Sequence, residues 1–287
     1  MTSIAYDLYQ PDVVSSCVVF ASPHSGRFYS TEFLRQTVLD EATIRSSEDA
    51  FVDQLFESVP GHGAPFIAAK APRAFVDLNR AADELDPALI EEVRGGSHSP
   101  RVASGLGVVP RVVANGRSIY HGKLRIAEVD RRLTDVWHPY HNCLQDLLDA
   151  SRTTFGQAVL IDCHSMPREA LMGHVKTSSR RPDIVLGDRF GTSAMTGLVD
   201  EIDDAFRSEG FRTTRNTPFA GAFITQHYGR PQKGQSAIQI EIDRSLYMDE
   251  TRIAPNSDFK CVQARLSSVA AQIAKLGRSR AMPLAAE

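Results

Sequence analysis

Cysteine is sparse and unpatterned in this chain: Cys17, Cys143, Cys163 and Cys261 are the only four, and no two stand in Cys-x-x-Cys spacing. That excludes a zinc ribbon and a disulfide framework, and the thiols are expected to be reduced and mostly buried. Basic charge is not in excess, with 32 Lys and Arg against 35 Asp and Glu, a formal net charge of −3 and a pI near 6.3. Arg180-Arg181 is too short a cluster to supply a basic field locally, so nucleic acid is not an expected partner. Long apolar runs are missing too. The stretch from Met1 to Pro23 lacks a basic n-region, and its apolar run is only about six residues, too short for a signal-peptide core or a membrane span. A cytoplasmic protein without a membrane partner is expected. No internal repeat or Pro-rich linker divides the 287 residues. At 42% hydrophobic and 23% charged residues, the composition fits a single domain with one α/β core.

What is present is organised around short apolar runs. Cys17-Val18-Val19-Phe20-Ala21-Ser22 and Gln157-Ala158-Val159-Leu160-Ile161 read as buried strands, and each delivers a histidine, in Pro23-His24-Ser25-Gly26 and Asp162-Cys163-His164-Ser165. After the first, Glu48 to Val59 places Phe51, Val52, Leu55, Phe56 and Val59 at helical spacing, with Ser46 or Ser47 as cap. Two extended runs, Pro65 to Ala69 and Arg73 to Leu78, are expected next, then long Gly-rich loops with one hairpin from Pro87 to Gly122. Lys123 to Arg152 is the longest helical pattern, with Pro139 marking a kink or break near His138 and His141. The second half alternates: strand 157–163, strand 183–187, helix 192–208, strand 212–216, strand 236–243 and a helix near 257–277, with a tail over 279–287. Such alternation predicts a mixed, mainly parallel sheet covered by helices on both faces.

Ligand sites in open α/β sheets form at the carboxyl ends of strands, so His24 and His164 are placed to share a metal. Each histidine alone is more often a satisfied structural residue; two in matching contexts favour the metal. A catalytic zinc needs three protein ligands and an open position. Asp49 is the best-placed third ligand, with Glu48 and Asp53 as rivals, because helix phase is not fixed to one residue by sequence. The alternating strand Ser236 to Asp243 carries Glu241 near its end, a general-base candidate whose bland alternative is an ion pair with Arg244. Competing chemistries are weaker. Neither serine lies in a Gly-x-Ser-x-Gly elbow. Cys163 and His164 are strand neighbours that point to opposite faces. Gly187-Asp188-Arg189-Phe190-Gly191 fits a strand–helix turn better than an anion loop, and the spacing of His138 and His141 fits a groove-facing kink better than a metal pair.

Taken in order, Pro23-His24-Ser25-Gly26, Asp49 to Asp53, Val76-Asp77-Leu78-Asn79-Arg80, Ile119-Tyr120, Pro139-Tyr140-His141, Asp162 to Ser165, Asp183 to Asp188, and Gln239 to Ile242 with Leu246-Tyr247-Met248 resemble the N-formylglutamate amidohydrolase family across roughly residues 17–250. The resemblance implies a fold like that of zinc carboxypeptidases and aspartoacylases, one zinc ion, and an N-acyl amino acid as substrate. Carried over residue by residue, it makes His24, Asp49 and His164 the metal ligands and Glu241 the base, with Asn79 and Arg80 binding the substrate carboxylate. The chain departs from it at Phe51, where many members carry a histidine, and in the Arg-rich loop 94–117, for which no counterpart is assigned.

Overall fold

The computed structural model describes residues 5–93, 99–171 and 181–279. The Gly95-Gly96 part of the long loop, Arg180, and the expected tail beyond Ser279 lie outside them. The described residues group into two compact units, one within positions 1–7, 23–50 and 68–143 and the other within positions 8–22, 51–67 and 144–287. No helix among the described residues is long and apolar enough to cross a membrane.

Seven strands form the main sheet: β1 (Tyr6–Tyr9), β2 (Val18–Ser22), β3 (Phe66–Ala69), β4 (Ala158–Met166), β5 (Ile184–Gly187), β6 (Thr213–Arg215) and β7 (Gln235–Asp243), in the order β1-β3-β2-β4-β7-β5-β6. β2 runs parallel to β4, β4 to β7 and β5 to β6, while β5 is antiparallel to β7. This is the mixed, mainly parallel sheet that the alternation of elements predicts. Every residue of β4 and β7 is buried, as expected of central strands. Their register pairs Asp162 with Gln239 and His164 with Glu241. Because side chains alternate across a strand, these four polar residues share one face of the sheet.

In the second unit, the helix Phe259–Ser279 buries Val262, Leu266, Val269, Ala270, Ile273 and Ala274, a stripe at three- and four-residue spacing. Each large aliphatic side chain so covered contributes about 1.5–3 kcal/mol. A Cβ at Gly277 would fall 2.2 Å from Ser16 Oγ and 2.6 Å from Val18 Cγ2, so glycine is what lets this helix close on β2.

Three expectations are corrected. Glu48 to Val59 is not one helix: it holds only a single turn at Val52–Leu55 and a 3₁₀ turn at Val59–His62. The break is at Phe51, whose φ of 66° is left-handed, where a bulky side chain is strained. Arg73 to Leu78 is a series of turns and not a strand, with Phe75 and Val76 N–H both donating to Pro72 O. The helical pattern from Lys123 runs as Ile126–Arg132, a π turn over Leu133–Trp137, and His138–Phe155. Pro139 has no N–H to offer, and the widened turn, with His138 N–H donating to Leu133 O, absorbs the missing bond without breaking the helix.

That π turn brings Trp137 and His141 onto the turn at 78–80, where Trp137 Nε1 donates to Arg80 O at 2.9 Å and the His141 ring bonds Leu78 O at 2.9 Å. Arg132, fully buried, braces the same region: it donates to Phe75 O, Tyr120 Oη, Gln36 Oε1 and Glu128 Oε1 and lies 4.2 Å from the Phe75 ring centroid. Arg132→Met is expected to cost about 3–5 kcal/mol of stability, because Phe75 O, Tyr120 Oη and Gln36 Oε1 lose the donor they share, while Glu128 keeps Arg131. Urea unfolding reads this; a loss under about 1 kcal/mol would mean that the braces are interchangeable.

Candidate metal centre and active site

His24 sits two residues past β2 in a turn that requires Gly26, where a Cβ would fall 2.1 Å from Ala71 O. Its carbonyl accepts the Asp49 N–H at 3.0 Å, which holds the loop carrying Asp49 against the histidine loop. Asp49 therefore stands before the short helix and not in its first turn, and the left-handed Phe51 is what turns the chain there. His24 Nδ1 lies 3.4 Å from Asp49 Oδ2, and its Nε2 is 2.7 Å from Asp77 Oδ1. Asp77 also accepts Asn79 N–H at 2.8 Å and Arg73 Nε at 3.0 Å. Burial would raise the Asp77 pKa, but Arg73, Arg80 and His24 outweigh it and hold the carboxyl well below the usual range.

The rivals for the acidic position are occupied or displaced. Glu48 Oε1 accepts the Tyr29 hydroxyl at 2.6 Å and Arg45 Nε at 3.0 Å. Asp53 sits in the turn after Phe51, outside the one group of histidine, cysteine and carboxylate side chains among the described residues that is arranged to take a metal. That group is His24, Asp49 and His164, all buried, each offering one ligand atom, with these atoms all within 4.8 Å of one another. His138 and His141 are not in it.

Arg80 is nearly buried. Its Nε donates to Leu106 O at 3.0 Å and its Nη1 to Asn79 O at 2.7 Å, while Nη2 stays 3.9 Å from Asp77 Oδ2. The weak Asp77 contact means that Arg80 is not simply its structural partner. Burial pulls the Arg80 pKa down from its usual value; Arg73 and Arg101 add to this, and Asp77 and Glu84 oppose it.

On the shared face of β4 and β7, each functional candidate stands two residues beyond a supporting polar group. His164 Nε2 lies 3.0 Å from Asp162 Oδ2, and Gln239 Nε2 donates to Glu241 Oε1 at 2.8 Å. Arg244, the ion-pair partner that the sequence offers Glu241, donates from Nε to Ser165 Oγ at 3.1 Å. Cys163 faces away, its Sγ 3.7 Å from Ile161 O, and burial pushes its thiol well up, which rules it out as a nucleophile. The 187–191 segment is the expected turn, closed by Gly191 N–H on Asp188 Oδ1 at 3.1 Å.

These residues fit a metal ion. Two ligands about 2.0–2.1 Å from a tetrahedral zinc stand about 3.3 Å apart, which the 3.4 Å between His24 Nδ1 and Asp49 Oδ2 matches. Both Asp162 oxygens are buried without a hydrogen bond of good geometry, a costly arrangement that a nearby cation would balance. A carboxylate beside the Nε2 of each histidine is also how metal-ligating imidazoles are oriented, with the other ring nitrogen left for an ion. Sequence reasoning missed Asp77, Asp162 and Gln239 in these supporting places. The strand period of two could have found the last two; Asp77, 53 residues from His24, left no local signal.

A mixed, mainly parallel α/β sheet with a buried His–Asp–His group beside strand-borne carboxylates defines the class: an α/β protein with a candidate metal centre. Comparison with known proteins resolves it further. Residues 16–248 match the N-formylglutamate amidohydrolase family, and the chain belongs to that family. It is 29% identical to an N-formylglutamate deformylase of Pseudomonas putida over 239 residues, 82% of each chain, and 30% identical to that of Pseudomonas aeruginosa, covering 81% of this chain and 82% of that one. The crystal structure of N-formylglutamate amidohydrolase from Ralstonia eutropha JMP134 superposes with a TM-score of 0.90 at 34% identity, over 96% of this chain and 99% of that one. A gene product of Agrobacterium tumefaciens, at TM-score 0.65 and 15% identity, shares the fold over 95% of each chain.

Proposed function

We propose that this protein is a zinc-dependent amidohydrolase, acting as one catalytic domain, that hydrolyses N-formyl-L-glutamate to formate and glutamate. The observation that carries this reading is the buried His24, Asp49 and His164 group, with Glu241 in register beside His164. The names of the Pseudomonas and Ralstonia relatives support the substrate.

His24, Asp49 and His164 would hold the ion and leave a position open. When bound there, zinc supplies a Lewis acid that acidifies water to a pKa of roughly 7 and polarises the formyl oxygen. Glu241 takes the proton from water and passes it to the leaving amine, and Gln239 fixes the carboxylate through Oε1 so that the proton is received in one orientation. A non-catalytic binder has no use for a carboxylate so held. Asn79 and Arg80 grip the α-carboxylate of the substrate, where a planar guanidinium already anchored through Nε and Nη1 gives up little freedom on binding.

Two measurements test this reading. On a panel of N-formyl, N-acetyl and N-succinyl glutamate, the formyl compound is expected to give the highest kcat/KM; preference for a larger acyl group would reassign the enzyme to another acyl substrate. Arg80→Lys is expected to weaken kcat/KM for N-formyl amino acids by about 2–4 kcal/mol and to cost an amide-capped substrate little. Equal losses on both would make Arg80 a support of the fold.

A further inference from the structure

The Arg-rich loop 94–117 is unexplained by the reaction, and its described arginines do not behave alike. Arg111 Nε pairs with Asp86 Oδ2 at 2.9 Å, and Arg117 Nη1 donates to Thr43 Oγ1 at 3.2 Å. Arg101, exposed on the single helical turn Pro100–Ala103, has neither a side-chain hydrogen bond nor an ion pair among the described residues. Its backbone is nevertheless tied to the Arg80 side chain: Leu106 N–H donates to Arg101 O at 2.8 Å, and Leu106 O accepts Arg80 Nε at 3.0 Å. Arg101 stands close enough for its charge to act on Arg80, as does that of Arg73. Among the described residues, the carboxylates whose charge acts on Arg80 include Asp77, already bonded to Arg73 and His24, and Glu84, whose Oε1 accepts Ala81 N–H.

Neighbouring guanidinium groups repel one another, and an anion received beside them relieves that repulsion. N-formylglutamate brings two carboxylates a few bonds apart, one common to every amino acid and one peculiar to its side chain. A buried, anchored guanidinium suits the common group, and a long, solvent-facing one beside it suits the variable group.

We propose that Arg101 reads the side-chain carboxylate of the substrate, making this site selective for dicarboxylic N-formyl amino acids while Arg80 holds the α-carboxylate. The inference rests on the proposed hydrolysis of N-formyl amino acids. N-formyl-L-glutamine, the same shape without the second charge, is the discriminating probe.

With the metal-loaded enzyme, Arg101→Gln is expected to lower the ratio of kcat/KM for N-formyl-L-glutamate to that for N-formyl-L-glutamine by about 10- to 100-fold, the range for losing one charged hydrogen bond. Arg101→Lys should retain part of the preference, since it keeps the charge and loses the fork. Equal falls on both substrates would assign Arg101 to the fold, and an unchanged ratio would remove it from recognition; either overturns the proposal. Calorimetric binding of L-glutamate against L-glutamine by the same proteins gives a readout independent of turnover. Were neither formyl compound turned over by the wild type, the proposed reaction would fall. A glutamate preference in binding that Arg101→Gln abolishes would still uphold Arg101, and no such preference in the wild type would overturn it.

Discussion

Replacing His164 by Ala is expected to strip the protein of its metal. A site of three protein ligands reduced to two loses the imidazole that Asp162 orients, and Asp162 is then left buried without its 3.0 Å contact. The remaining pair, His24 and Asp49, lies on loops clipped to each other by a backbone hydrogen bond from Asp49 N–H to His24 O. Elemental analysis after dialysis should find the wild type with about one zinc per chain and the variant with a small fraction of that. Circular dichroism should show the sheet intact, because His164 contributes little apolar area to the core. Full metal occupancy in His164→Ala would remove His164 from the ligand set.

Glu241→Gln separates the base from the ligands. The substitution keeps the size of the side chain and its place beside Gln239 but cannot take a proton, so kcat should fall by roughly 10²–10⁴-fold while metal content stays at the wild-type level. Loss of metal in this variant would recast Glu241 as a ligand. An undiminished kcat would take it out of the mechanism, and Gln239 Nε2 would then be merely tying down an inner polar side chain.

The strands are legible in the sequence because burial on both faces leaves a continuous apolar run, as in Val159-Leu160-Ile161 and Ala237-Ile238. His24 and His164 are legible for the same reason, since each ends such a run. What does not show is backbone geometry decided by tertiary contacts. Nothing in the apolar spacing of Phe51, Val52 and Leu55 signals that Phe51 adopts a left-handed conformation, edge-to-face with Phe259 at 6.1 Å. Edge strand β1, four residues long and only half-buried, carries too weak an alternation to read. Pro139 signals a kink, but its form, a π turn that aims Trp137 and His141 at the turn of 78–80, depends on which neighbours are there to accept them.

The central claim is that a metal held by His24, Asp49 and His164 is required to hydrolyse the formyl amide. Its most direct test is formate release from N-formyl-L-glutamate by protein stripped with a chelator and then titrated with zinc. The account predicts negligible formate from the stripped protein and recovery that saturates near one equivalent per chain. Full formate release by verified metal-free protein would contradict it.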